Sequence, residues 1–505
     1  IIFHGTVTGT ISGTGGTLPV VIANGVGITF PAAVTIGGAF QINTGGFALG
    51  SITYGTGSTL IYNAGSFTVS TTEWIRTNST GTGVPWHVQI GGGYISPNNA
   101  TITGEANGSV RNIRGDFIIT TGSSFTMGSG NMNIAGNYTN NGTFNANSRT
   151  VSFNGTGNQT ITGNTAFHSF NNTNATGIVN ISASTTIQFA SACDLLGSNL
   201  LKVDGKLATT SSTNAIINNS TTTNLVFAEG GEYEHARTTG TIPLATWTNT
   251  GTGSTCRITG TIATGPTINN PASGFSHFIW DPGSNQTGNI TLNGQLTLVK
   301  GNFTINSMDA GTLSLADTES PSTTIEGNLV QNAGIFNLTN NTGTPTLTVL
   351  GSFTQNAGTF NLASGSSGTG TLKLAGNLLQ ANGATISETS SSLNNLIEFA
   401  GSSIQTVNLL GTLTNLVNFR VNNTLATAGI NITGNALTLN TGATFTRTLG
   451  TVTGSINYNG TNTLLYNNTT ALSSQTDEWP ASGAAANITM NGSGGITLGA
   501  ARNCG

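Results

Sequence analysis

Gly301-Asn302-Phe303, Gly327-Asn328-Leu329, Gly351-Ser352-Phe353 and Gly376-Asn377-Leu378 open four successive segments of this 505-residue chain, at steps of 26, 24 and 25 residues. In the best-matched copies the agreement runs deeper. Leu347 answers Leu372, Val349 answers Leu374, Phe353 answers Leu378 and Gly358 answers Gly383, all at 25. A fixed period of about 20–30 residues marks a supersecondary unit that buries its apolar face only by stacking on its neighbours. Within a copy the apolar residues alternate with Thr, Asn or Ser, as in Leu347-x-Val349 and Phe360-x-Leu362, which sends one set inward and the other outward along a strand. No helical period competes. Gln331-Asn332-Ala333-Gly334 and Gln355-Asn356-Ala357-Gly358 interrupt the copies with residues that supply the positive φ and side-chain-to-backbone bonding of a corner. One copy is therefore one coil of an all-β fold, a parallel β-helix or β-solenoid, with a right hand expected. At about 25 residues per coil the chain makes roughly 20 coils, on the order of 95 Å at about 4.8 Å per coil. Stacked one coil apart, Asn332 and Asn356 can hydrogen-bond in a ladder, as can Gln331 and Gln355; Asn is also simply a good turn residue.

A solenoid has no upper size set by a single core, so one continuous solenoid over 1–505 is expected. Only 6% of residues are charged, 36% are hydrophobic and Gly fills 71 positions. Disorder needs high charge and low hydrophobicity, so this composition argues for stacked strands under a neutral surface of hydroxyls and amides. Net charge is −4, and Lys plus Arg total 13, which leaves no source for a phosphate-tracking groove; nucleic acid is excluded as a partner. No run of about 18 apolar residues offers a membrane span. The chain opens on Ile1 without a basic and apolar leader, as expected of a processed or excised piece of a larger protein. Cys193, Cys256 and Cys504 are far apart and odd in number, without C-x-x-C or His spacing for a metal, and read as small buried residues.

The remaining coils vary the theme. Gly50-Ser51-Ile52-Thr53-Tyr54, Thr59-Leu60-Ile61-Tyr62-Asn63 and Glu73-Trp74 recur as Gly454-Ser455-Ile456-Asn457-Tyr458, Thr463-Leu464-Leu465-Tyr466-Asn467 and Glu478-Trp479, at an offset of 404 that becomes 405 at the Glu-Trp pair. Loop-bearing modules are thus expected near 50–99, 229–282 and 454–503. The Glu-Trp pairs can be read as a sugar-stacking aromatic beside a carboxylate, or as a ring closing an enlarged corner, and recurrence favours the second. Glu105, Arg111, Arg114 and Asp116 read as loop decoration. Gly115-Asp116-Phe117 and Gly136-Asn137-Tyr138 resume the coil signature. Phe153-x-Gly155-x-x-x-Gln159-Thr160, with Asn171-Asn172-Thr173 downstream, is echoed by Phe399-x-Gly401-x-x-x-Gln405-Thr406 and Asn422-Asn423-Thr424.

Charge concentrates at Glu229, Glu232, Glu234, His235 and Arg237. A strand over 232–235 puts both glutamates on one face and Tyr233 and His235 on the other. Paired carboxylates hydrolyse glycosides when one stays protonated beside an ionised partner, roughly 5–9.5 Å apart. Neighbouring same-face strand residues approach that separation without design, and a lyase would need a base among charge-neutralising groups gathered from several coils. Structural or solvated roles are preferred.

Gly230-Gly231-x-Tyr233-x-His235, Thr241-Ile242-Pro243-x-Ala245-Thr246-Trp247, Ser254-Thr255-Cys256-x-Ile258-Thr259-Gly260 and Gly288-Asn289-Ile290-Thr291-Leu292 resemble a repeat module of large secreted surface proteins of Bacteroidota and related bacteria. The Gln-Thr and Glu-Trp modules look like companions from the same proteins, and together these cover well over half the chain. The resemblance implies export by the type IX secretion system, an extracellular or cell-surface location and an adhesin-like role. The chain departs from it in lacking a recognisable sorting domain at Asn503-Cys504-Gly505.

The expected function is that of a structural, adhesive fibre segment: a stiff spacer that is not an enzyme, with no catalytic, cofactor-binding or metal residues assigned and no cofactor. Its expected partners are other coils of the same or neighbouring copies, end to end, and surface glycans. Two rivals remain: a β-helical polysaccharide lyase or hydrolase acting through residues 229–237 or the Glu-Trp corners, and a glycan- or ice-binding face of Thr-x-Thr rows such as Thr346-x-Thr348. Thr is frequent, but the clearest copies do not align it in register. The Gly-Gly-x-Gly-x-Asp repeat of calcium-loaded β-rolls is missing, which disfavours calcium.

Overall fold

The computed structural model describes the chain apart from residues 5–8, 12–15, 32–33, 51, 71, 76–78, 95–98, 105–107, 197–198, 211–213, 261–264, 284–285, 287, 481–482 and 502–505. Glu105 and Cys504 lie outside the described residues, as does the terminal Asn503-Cys504-Gly505. Among the described residues there is no α-helix, and the short strands pair in parallel as a β-solenoid of about 20 coils. The chain divides into two compact units, the first made of Ile1–Glu234 and Pro243–Thr246, the second of His235–Ile242 and Trp247–Gly505.

In the second unit a regular coil has three short strands. Thr346–Val349, Phe353–Gln355 and Thr359–Ala363 complete one circuit, and Thr371–Leu374 then pairs with Thr346–Val349. Leu347 lies beside Leu372, Val349 beside Leu374 and Phe353 beside Leu378, as the sequence period requires. The fourth expected pair slips by one. Thr359 pairs with Thr385, so the partner of Gly358 is Ala384, a buried residue inserted after the corner glycine. Gly334, Gly358 and Gly383 still share the corner role, with φ of 74°, 82° and 84°.

The inward positions form files of rings. In the second unit Phe275, Phe278, Phe303, Phe336 and Phe360 follow one another with centroids 5.2, 5.6, 5.7 and 5.8 Å apart. In the first unit the rings run Phe117, Phe125, Phe144, Tyr138, Phe167 and Phe170, each in contact with the next. Each buried ring contributes roughly 1.5–3 kcal/mol, and each depends on the coils above and below to be covered.

The Gly-Asn signature has a separate cause. Gly327 N–H donates to Gly301 O, Gly351 to Gly327 and Gly376 to Gly351, at 3.0, 3.0 and 3.1 Å. A Cβ at Gly327, Gly351 or Gly376 would fall 2.4, 2.4 and 2.3 Å from the preceding carbonyl oxygen, so only glycine lets the coils approach this closely. The next residue serves the coil above with its side chain. His277 Nδ1 accepts from Asn302 N–H, Asn302 Oδ1 from Asn328 N–H, Asn328 Oδ1 from Ser352 N–H, Ser352 Oγ from Asn377 N–H and Asn377 Oδ1 from Thr406 N–H. The first unit repeats the scheme through His87, Asp116, Asn137 and Thr160. Short side chains with an acceptor two or three bonds from Cα satisfy amides that glycine-tight stacking would otherwise strand.

Both expected ladders are present. Asn332 Nδ2 donates to Asn306 Oδ1 and Asn356 Nδ2 to Asn332 Oδ1, at 2.9 and 2.7 Å. Inside the coil, Gln355 Nε2 lies 3.4 Å from Gln331 Oε1 and Gln380 Nε2 lies 3.3 Å from Gln355 Oε1. A third, buried ladder joins Asn361 to Asn337 and Asn337 to Ser314.

Candidate functional site

Glu229, Glu232 and Glu234, the carboxylates of the charged stretch that belong to the first unit, sit on the outside of the sheet. The strand Glu232–His235 alternates as expected: Glu232 and Glu234 are partly exposed, while Tyr233 and His235 are buried. Lys206, one coil earlier and in register with Glu232, puts Nζ 3.1 Å from Glu232 Oε1 and also bonds Glu234 Oε2. Beside it Lys202 Nζ lies 2.7 Å from Asp204 Oδ1. Partial burial alone would pull the Lys206 ammonium down, but the hydrogen bond to Glu234 and the charge of Glu232 outweigh it and leave Lys206 above its ordinary range. One ammonium thus bridges both carboxylates from the neighbouring coil. Asp204, Lys206, Glu229 and Glu232 border an open hollow of about 480 Å³.

His235 does not complete a catalytic set. Burial first, and the charge of Arg237 second, push the imidazole down to about 4, against a raising bond to the Thr239 backbone. It is neutral at pH 7 and faces the interior, whereas a general base must reach a substrate proton.

The two Glu-Trp modules are built alike. Tyr54 and Tyr458 donate to the backbone oxygens of Glu73 and Glu478, at 2.8 and 2.6 Å. Tyr62 and Tyr466 donate to the carboxylates at 3.1 and 2.9 Å, and the backbone amides of Ser70 and Gln475 do so as well. Trp74 is fully buried, its indole N–H bonded to Asn112 O and its ring under the Arg111 guanidinium; Trp479 is 4% exposed. Neither ring offers a face to a sugar, so both close a corner. The cation comes from different directions, Arg111 from a later coil and Arg447 from an earlier one, where it pairs with Glu478 Oε1. Burial raises the Glu478 carboxyl, with Arg447 opposing.

The Gln-Thr motif ends the glycine column. Gln405 Nε2 donates to Gly376 O, the acceptor that the next glycine amide would have used, while its Oε1 accepts from Gly401 N–H. Gln159 makes the same bonds to Gly136 and Gly155. The downstream amide differs: Asn423 reaches Gln405, but Asn174 rather than Asn172 reaches Gln159. Cys193 and Cys256 are both buried, and burial pushes the Cys193 thiol well up, with Asp194 adding to it. Among the described residues no cluster of three or more His, Cys, Asp or Glu is placed to hold a metal.

Two surfaces went unread in the sequence. Strands Gly65–Thr68, Ala100–Thr103, Ser124–Thr126 and Thr143–Asn145 pair so that Ser66, Thr101, Ser124 and Thr143 form one outward rank and Thr68, Thr103, Thr126 and Asn145 a second. In the second unit Thr359, Thr385 and Thr412 also align, as do Ser322, Thr346 and Thr371. The expectation of unaligned threonines therefore fails: Thr346 and Thr371 lie one 25-residue period apart, and the insertion at Ala384 brings Thr385 onto Thr359. The second surface is a pair of adjoining hollows of about 440 and 660 Å³ in the second unit, sharing Thr438 and Asn457. The signal for it was the point where the two Glu-Trp modules stop agreeing. No family model, curated protein or solved structure matches this chain.

Proposed function

We propose that this chain is a structural, adhesive segment of a bacterial cell-surface or extracellular fibre, a stiff β-helical spacer without catalytic activity. The observation that carries the reading is where the recurrent polar residues go. The Gly-Asn, Gln-Asn, Gln-Thr and Glu-Trp motifs all spend their hydrogen bonds joining one coil to the next or closing a corner. The glutamates of the charged stretch are tied to one lysine. Export by the type IX system and kinship with Bacteroidota surface proteins belong to the same proposal and rest on the motif resemblance; antibody labelling of intact cells of the source bacterium tests the location. End-to-end association of copies is tested by sedimentation over a concentration series. The test of the spacer itself is incubation of purified protein with neutral and acidic polysaccharides: they stay uncut, and chain shortening that survives repurification defeats the reading.

A glycan- or ice-binding face is the second reading, favoured by the two four-strand polar ranks of the first unit, which carry hydroxyls at every position but Asn145. Their spacing is about 4.8 Å between strands and about 6.7 Å along each strand, a two-dimensional repeat suited to an ordered surface. Inhibition of ice recrystallisation, lost in Thr103→Lys, supports it; growth of ice grains at the rate of a control protein ends it.

A further inference from the structure

We propose that the second unit carries a trough for a neutral polysaccharide, formed where its regular sheet stops. On this side the sheet that passes through Ile335–Thr339, Thr359–Ala363 and Thr385–Ser387 ends at Thr412–Leu413, and a separate pair, Leu437–Leu439 with Ile456–Tyr458, follows it. The break leaves the two hollows. One opens over Thr412 and Asn435, the other over Tyr458 and Asp477, and the register partners Thr438 and Asn457 line both. Together they run about 10 Å over two coil steps of about 4.8 Å, room for a stretch of sugar chain rather than a single residue.

The chemistry of the lining is that of sugar recognition. Hydroxyls and amides both donate and accept, and so match sugar hydroxyls in either sense. Asp477 uses Oδ2 to accept from Gly454 N–H at 3.0 Å, which holds the carboxylate in place and leaves Oδ1 for a ligand hydroxyl. Tyr458 is partly exposed with its hydroxyl anchored on Glu478 O, a fixed ring edge at the floor. Among the described residues no Lys, Arg or His lines either hollow, so an acidic polymer would meet an uncompensated carboxylate.

The earlier copy of the module acts as an internal control. What the copies share, Tyr54 with Tyr458, Tyr62 with Tyr466, Glu73 with Glu478 and Trp74 with Trp479, is spent on closing the corner. The shared Tyr458 also borders the hollow, but three of its polar lining residues are not shared: Asn457, Asn459 and Asp477 stand where the first copy has Thr53, Gly55 and Thr72. In that first copy Tyr54 is buried and Thr72 is laced to Ala48 O.

This inference rests on the adhesive side of the proposed function and gives it a ligand class. The test is affinity electrophoresis of the full chain in gels containing laminarin, xylan, mannan or alginate. Retardation is expected in at least one neutral gel, weakened about tenfold or more by Asn457→Trp, which fills the point the hollows share, and weakened by Asp477→Asn, with the urea midpoint unchanged. Thr354→Trp, on another outward face, leaves it intact. No retardation in any neutral gel, retardation in alginate alone, or retardation indifferent to both trough variants overturns the proposal. Should Asn457→Trp fail to fold, Asp477→Asn decides. A negative result with every probe intact removes the trough and leaves the spacer, whereas shortening of a probe removes the spacer.

Discussion

Replacing Gly351 by alanine tests the glycine column most directly. The added Cβ would lie 2.4 Å from Gly327 O and 2.6 Å from Asn328 Oδ1, both of them acceptors in the stack. Relief requires the coils to part. That weakens Gly351 N–H to Gly327 O, Ser352 N–H to Asn328 Oδ1 and Gly376 N–H to Gly351 O, bonds of 3.0, 2.9 and 3.1 Å. At about 1 kcal/mol each the loss is about 3 kcal/mol, or roughly a hundredfold in a local opening constant. Hydrogen exchange across 327–380, read by mass spectrometry, should therefore quicken by about two orders of magnitude. Gly157→Ala supplies the comparison, since a Cβ there meets nothing within 4 Å, and exchange around it should stay within about threefold of the parent. If Gly351→Ala exchanges no faster than Gly157→Ala, close approach is not why glycine occupies the column.

Other expectations follow from the core and the charges. Leu372→Ala, fully buried between Leu347 and Ile397, should cost about 2–5 kcal/mol in urea unfolding of the second unit. His235 is held down to about 4, so stability present above its ordinary value of 6.5 is lost as pH falls between them, at most roughly 3 kcal/mol. His235→Phe should flatten that fall when urea midpoints at pH 7 and pH 4 are compared. Glu478 has the opposite sign, because a raised carboxyl is relieved by acid, so the single variant is needed to separate the two. Lys206→Met should shift thermal stability by less than about 1 kcal/mol, since its partners are partly exposed and screened, and a larger loss would mark the charged patch as structural.

The fold was legible because strand alternation and the coil period leave independent marks. Leu347 and Leu372 reveal both the inward face and the step, and Asn332 and Asn356 reveal the stacking. Register at the corners was not legible, since one inserted residue, Ala384, moves Gly383 off Gly358 while bringing Thr385 onto Thr359. In the charged patch the faces of Glu232 and Glu234 could be read from period two, but the lysine that joins them lies 26 residues earlier, at Lys206. The coil period applied backwards would have found it. The trough was invisible to motif reading because it lies in the residues that break a repeat, Asn457 and Asp477 among them, and repetition is what such reading detects.

The glycine column has a defined beginning and a defined end. His277 supplies the first side-chain acceptor and Gln405 caps the last glycine carbonyl, with only interchangeable Gly-Asn or Gly-Ser coils between; His87 and Gln159 bracket a shorter version. Such a cassette can be spliced. Excising or duplicating residues 327–350 removes or adds one circuit while both brackets keep their partners, so reach becomes a countable trait, adjustable by tandem duplication of DNA without redesign of either terminus.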